Sequence, residues 1–369
     1  MNRQLVGALI MTELETPRSE SKERIGYVAL NLRRIVAEEI ARNLRKSELQ
    51  EESVQRVLLE FGAETKYLPL DRPVETMLLT QSTLHCLIRC LACLVDLRLS
   101  KQKIDNVVLK DRIERIEQRR EMPRILKPFV DAKIEVLGTT VLREVCKAVE
   151  PLSTLGCLLV MGTLFERSHW ELIVPFKNKE RTMYQTDIYR NLAFANRNGI
   201  FYTPPEIAEF IVAKTFGKYV RDLLNSMPTD SSKITDHLMS LLRLRVCDPA
   251  CGASVFLIYF LRELFDALST VYQLANDKNL ALKPIDELKR EILRSMIYGL
   301  DVEEEATQLS RVLLCLFSGL NLDEIPTVET KVRRGNSLIS EEILGSPAAP
   351  KSSREKRVLG PFFANAPQS

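Results

Sequence analysis

The stretch Leu244-Arg-Val-Cys-Asp-Pro-Ala-Cys-Gly-Ala-Ser-Val-Phe-Leu257 constrains this chain more than any other. A short, partly apolar run suited to a strand is followed by a turn through Asp248, Pro249, Ala250, Cys251 and Gly252. From Ser254 to Leu261 the sequence is apolar enough for a buried helix. Strand, glycine-bearing turn and helix together bring backbone and a helix N-terminus up to a small ligand at the edge of a parallel sheet. The acid at the strand end narrows the ligand. A phosphate site takes lysine and bare amides, whereas a carboxylate prefers a donor such as an ammonium group.

The sequence downstream repeats the plan. Residues 297–301 read as a second strand ending in Asp301, 303–317 as its crossover helix, and 331–338 as a third strand ending in Gly335-Asn336. Such alternation is the doubly wound α/β pattern, with ligand-type residues at the strand C-termini. Asp248, Asp301 and Asn336 are then expected to face one crevice. An acid in the first turn can meet an ammonium group, an acid on the second strand suits ribose hydroxyls, and an Asn on the third can bond the edge of adenine. Together these describe S-adenosyl-L-methionine better than a dinucleotide. A nicotinamide site would carry G-x-G-x-x-G, but the first turn has a single glycine, and no G-K-[ST] of a phosphate loop occurs. Glu303, Glu304 and Glu305 read as a dipole-complementing first helical turn rather than a metal cluster, and no metal is expected.

The first half of the chain carries no such chemistry. Residues 19–61 and 76–99 read as helices, the second more apolar and buried, with prolines breaking the pattern between them. Cys86, Cys90 and Cys93 fall at i, i+4 and i+7 and read as small core residues, because no second C-x-x-C lies at metal-site spacing. Residues 101–124 alternate in charge and read as a solvated helix face, and 136–165 return to helical periodicity. The chain has 369 residues, enough for two domains, with 45% hydrophobic and 27% charged residues and a net charge of +3, too weak to argue for nucleic acid by itself. Eight cysteines without a secretory leader point to a reduced, cytoplasmic setting, and no uninterrupted apolar run reaches membrane-spanning length.

Between the halves lies a polar stretch that leads into Asn196-Arg-Asn-Gly-Ile-Phe-Tyr-Thr-Pro-Pro-Glu206. Gly199 permits an unusual turn, Thr203 can cap the following helix, Pro204 and Pro205 suit its first turn, and Glu206 suits its dipole.

Taken together, these segments resemble the N6-adenine DNA methyltransferases of restriction–modification systems that have the γ motif order, above all type I modification subunits and fused type IIG enzymes. Gly199-Ile-Phe-Tyr-Thr-Pro-Pro-Glu206 resembles the family's N-terminal cofactor motif, and Asp248-Pro-Ala-Cys-Gly-Ala-Ser-Val-Phe-Leu257 its D-P-A-C-G-S-G-x-F-L motif. Gly299-Leu-Asp301 resembles the ribose motif and Arg334-Gly-Asn-Ser-Leu338 the adenine motif, while Gly162-Thr-Leu-Phe-Glu166 resembles the segment that precedes the first of them. The resemblance covers about residues 160–340, with four motifs in the family's order. It implies a helical N-terminal domain (1–160) and a Rossmann-like doubly wound S-adenosylmethionine domain, incomplete at its C-terminus (161–345), while the Pro-, Ala- and Ser-containing residues 346–369 read by composition as an unstructured tail. It further implies that Tyr202, Thr203 and Pro204 contact the methionine part of the cofactor. Asp248 and the backbone of Ala250, Cys251 and Gly252 would hold its amino-acid end, Asp301 the ribose, Val302 the adenine face and Asn336 the adenine edge.

Two departures matter. The second glycine of G-S-G is Ser254 here, preceded by Ala253. The catalytic Asn/Asp-Pro-Pro-aromatic motif, which accepts the target amine's hydrogens and stacks on the flipped base, is absent from the 369 residues, whose one Pro-Pro pair is Pro204-Pro205. The resemblance implies adenine-N6 methylation of DNA, with this chain expected to be inactive alone or to need another polypeptide for the catalytic motif. No catalytic residue is assigned in this chain, and a specificity, restriction or second methyltransferase subunit would be the partner supplying the motif. Two alternatives stay open: a non-catalytic cofactor-binding or interaction protein, and a methyltransferase acting on protein or RNA.

Overall fold

The computed structural model describes residues 22–46, 51–67, 72–129, 132–177, 184–190, 202–226, 231–277, 280, 282–326 and 330–338. Gly199, the N-terminal apolar run and the 346–369 tail lie outside them. The architecture is mixed α/β, mostly helical, with two small sheets. Contacts divide the chain into two compact units. One comprises Glu13–Pro204 with Gly319–Pro326, and the other takes Pro205–Ser318 and the residues after Pro326. The division thus falls at Pro204/Pro205.

The first unit contains α1 (Lys22–Lys46), α2 (Glu51–Tyr67), α3 (Pro73–Leu99), α4 (Asn106–Gln118), α5 (Thr139–Val149), α6 (Thr154–Ser168) and a hairpin of β1 (Glu171–Lys177) and β2 (Tyr184–Arg190). Helix α3 is the core element. It starts with Pro73, whose missing N–H goes unused in a first turn, and it is buried on all sides from Thr76 to Leu97. Helices α1, α2, α4 and α6 and strand β1 pack around it, as an all-round apolar helix requires. By length and hydropathy α3 could cross a membrane, but its apolar window is wholly buried inside the unit. Cys86, Cys90 and Cys93 lie on it as buried free thiols. Burial pushes the Cys93 thiol up to about 12.

Among the described residues, the buried charges of this unit are paired. Arg89, 1% exposed, sits with Nη2 3.1 Å from Glu135 Oε2 and Nε 2.9 Å from Glu117 Oε1. The hairpin, which the sequence reading passed over as a polar stretch, is held by a second buried pair: Arg33 Nη1 to Glu171 Oε2 at 2.9 Å. Arg167 and Arg190 also face Glu171. The run 101–124 corrects the expectation of a simple solvated face. Asp105 Oδ1 caps α4 by accepting from Val107 and Val108 N–H, and on α4 Arg112 turns inward, its Nε donating to buried Asp96 at 2.8 Å. Arg112 and Arg119 both pair with Asp323 in the 319–326 segment, and Leu322 N–H donates to Asp96 Oδ1 at 2.6 Å. Electrostatics therefore fixes that segment onto the helical unit.

The second unit holds α7 (Pro205–Lys214), α8 (Phe216–Asn225), α9 (Ser231–Leu242), β3 (Val246–Asp248), α10 (Val255–Asp277), α11 (Ile285–Ser295), β4 (Ile297–Asp301), α12 (Glu304–Phe317) and β5 (Lys331–Arg334). The three strands form a parallel sheet in chain order, with Asp248 beside Gly299 and Asp301 beside Arg334. A βαβαβ path of this kind is the unit from which doubly wound sheets are built. Among the described residues the sheet has these three strands, so a complete doubly wound domain is not formed by them. Helix α10 packs on α7, α8, α9 and α12, while α11 and α12 both pack on β4 and β5. Amphipathic α11 buries Leu288, Ile292 and Leu293.

Candidate functional site

The C-terminal ends of β3, β4 and β5 converge through backbone hydrogen bonds. Cys251 N–H donates to Leu300 O at 2.8 Å, tying the first turn to β4, and Gly335 N–H donates to Asp301 O at 2.8 Å, tying the end of β5 to the same place. Parallel register puts each strand's last residue at one sheet edge, where ligand-binding crevices of such sheets form.

The turn after β3 is organised by two carboxylates. Asp248 Oδ1 accepts from Ala250 N–H at 3.1 Å. Asp301 Oδ2 accepts from Gly252 N–H at 2.9 Å, and its Oδ1 from Glu303 N–H at 2.9 Å. The N–H groups of Ala250, Cys251 and Gly252, expected from the resemblance to face the ligand, are thus engaged inside the protein. Gly252 adopts φ 48°, a left-handed conformation that glycine takes without a Cβ penalty. Ser254 adopts φ 63° at the position where the resembling motif has glycine. Its hydroxyl is buried and finds no partner among the described residues.

Asp248 Oδ2 is also buried without a partner among the described residues. Burial pushes the Asp248 carboxyl up, the Ala250 N–H bond opposes this, and the charge of Asp301 adds to the rise. A buried carboxylate oxygen with no donor is costly, and a cationic donor is the group that would relieve it. Cys251 is a packing wedge rather than a reactive thiol. Burial and the two nearby acids push it up to about 12, and a Cβ placed on Gly299 would lie 3.1 Å from its sulfur. This explains why β4 carries glycine there.

At the second strand end Val302 is 61% exposed, an apolar side chain left open beside Asp301. At the third, Asn336 is half-buried. Its Oδ1 accepts from Leu338 N–H at 3.0 Å, which leaves the amide nitrogen side for another partner. Arg311 on α12, half-buried, donates through Nη2 to Val332 O at 2.7 Å and fixes β5.

Tyr202, Thr203 and Pro204 fall in the helical unit. The Tyr202 ring lies 6.3 Å from that of Phe165, edge-on at 86°, and 5.9 Å from that of His169. Tyr202 and Phe165, from two segments singled out in the sequence, are therefore packed together within that unit.

The sequence reading missed Ser310, which is 0% exposed on α12 and whose Oγ donates to Gly252 O at 2.5 Å. No local signal marks a serine inside an apolar helix as a partner for a turn 58 residues earlier.

No family model matches the chain. It is 28% identical over 174 residues to a protein of Methanocaldococcus jannaschii described as "Putative type II restriction enzyme and methyltransferase RM.MjaORFECS2P", a match covering 38% of this chain and 14% of that protein. It is 29% identical over 154 residues to the "Type II restriction enzyme and methyltransferase RM.Eco57I" of Escherichia coli, covering 37% of this chain and 14% of the relative. The chain spans a small part of the length of these relatives. The similarity relates it to the methyltransferases of restriction–modification systems.

Proposed function

We propose that the second unit binds S-adenosyl-L-methionine as the cofactor half of an adenine-N6 DNA methyltransferase of restriction–modification type. The observation that carries this is the arrangement of three successive parallel strand ends: a buried, donor-less oxygen on Asp248, a carboxylate at Asp301, exposed Val302 and an available Asn336 amide. The residues fit the group. Asp248 Oδ2 takes the ammonium of the amino-acid end and so gains the donor it lacks. Asp301 uses one lone pair on each oxygen for Gly252 and Glu303 and keeps the others for ribose hydroxyls. Val302 packs on the adenine face and the Asn336 amide meets its edge. Ala250, Cys251 and Gly252 set the path of the turn. The assignment of Tyr202, Thr203 and Pro204 to the methionine part, like a cofactor domain over 161–345, rests on the motifs.

Bound S-adenosylmethionine supplies a methyl group on a sulfonium. The chain's own residues orient that group and hold water off it, with DNA as the proposed substrate. The Asn/Asp-Pro-Pro-aromatic residues that receive a flipped adenine would come from a further segment or a partner subunit. Incubation with labelled cofactor and mixed-sequence DNA tests this reading. Label in adenine with the motif-bearing partner present is the expected result. Cofactor binding with no transfer under any pairing would favour the non-catalytic binder, and label in protein or RNA would replace DNA as the substrate.

A further inference from the structure

Gly252 is gripped at both ends. Its N–H donates to Asp301 Oδ2 at 2.9 Å, and its carbonyl accepts from Ser310 Oγ at 2.5 Å. Ser310 lies fully buried in the second turn of α12, its Oγ also 3.9 Å from Cys251 Sγ. The Gly252 carbonyl and the Ala253 N–H belong to one planar trans peptide and point in opposite directions. A hydroxyl that draws the carbonyl into the core therefore turns the Ala253 N–H away from it. Among the described residues no acceptor takes that N–H, and Ala253 is half-buried two residues before the 23-residue helix α10. At φ 48° Gly252 has no side chain to hold the peptide plane, so its orientation depends on what grips it from outside.

We propose that Ser310 is a positioning residue of this site: by holding the Gly252 carbonyl inward it aims the Ala253 N–H at the carboxylate of the ligand's amino-acid end. This rests on the cofactor reading above. It assigns to α12, an element outside the motif-bearing turns, control over the half of the ligand that adenosine lacks.

The test uses the full chain and two ligands, S-adenosylmethionine and 5′-methylthioadenosine, which keeps the nucleoside and sulfur but has no amino-acid end. Calorimetric titration of Ser310→Ala is expected to give about tenfold weaker S-adenosylmethionine binding, about 1.4 kcal/mol, with methylthioadenosine affinity unchanged. Ser310→Thr, which keeps the hydroxyl, restores binding. Leu313→Val, a loosening of the same helix, lowers thermal stability without the ligand-selective loss. Equal weakening of both ligands, or none, in Ser310→Ala would overturn the proposal, because a purely structural role acts on both alike. Wild-type chain that binds neither ligand would refute the cofactor reading, and the proposal with it, a result distinct from a variant that binds like wild type.

Discussion

Ser254→Gly should make the second unit more stable. The residue sits at φ 63°, buried, with a hydroxyl that has no partner. A left-handed conformation costs an L-residue roughly 1–2 kcal/mol, and a buried donor left unmade costs about 1–3 kcal/mol. Glycine removes both and gives back roughly 0.5–1 kcal/mol through its greater freedom in the unfolded chain. The net gain is about 1–4 kcal/mol, or roughly 3–12 °C in Tm for a unit of this size. A series sharpens the test. Ser254→Ala sheds only the orphan hydroxyl and gains less, while Ser254→Val adds a β-branch to a left-handed residue and loses stability. Scanning fluorimetry and urea unfolding, followed on the transition of the second unit, give the order Gly, Ala, Ser, Val. A glycine variant no more stable than wild type would refute the reasoning, because it would mean that the turn is unstrained.

Asp248→Asn bears on the orphan oxygen. A carboxyl raised by burial costs stability when ionised, and that cost is fully present above its folded pKa and is lost as pH falls toward its ordinary 3.8. The variant should gain about 1 kcal/mol at pH 7–8 without ligand, with the gain shrinking as pH falls, and it should weaken ligand binding; a pH-independent difference would count against the buried charge. Asp96→Ala strips Arg112 and Leu322 N–H of a buried acceptor and should cost about 3–5 kcal/mol by urea unfolding, against less than about 1 kcal/mol for exposed Asp111→Ala. Gly299→Ala pushes a Cβ to 3.1 Å from Cys251 Sγ and 3.3 Å from Val332 Cγ2 and should cost about 1–3 kcal/mol. Cys251→Ala in the same chain should return part of that loss, whereas strict additivity would place the clash elsewhere.

Much of the second unit can be read locally. The run 297–301 is a strand with its acid at the C-terminal end, and the helices that flank it follow from apolar spacing and the first-turn acids at Glu304 and Glu305. Hydrogen bonds between turns, which decide what each group is free to do, are not local. Asp301 was legible as an acid at a strand end, but its hold on Gly252, 49 positions earlier, was not. The β1–β2 hairpin escaped for the same reason. Pro175 and the surrounding charges blur its alternation, and its fixing charge, Arg33, lies 138 residues from Glu171. The alternating charges of 101–124 suggested solvent exposure because Asp96 and Asp323, which draw Arg112 inward, lie outside the window.

Everything proposed for the second unit depends on S-adenosylmethionine binding at the strand ends around Asp248 and Asp301. A calorimetric titration of the full chain tests it most directly. Saturable binding is expected at about millimolar ligand or below, abolished by Asp301→Ala, which removes the ribose acceptor and frees Gly252, and only weakened by Asp301→Asn, which keeps one acceptor oxygen. No heat and no thermal shift at about millimolar ligand, or undiminished binding by Asp301→Ala, would contradict it.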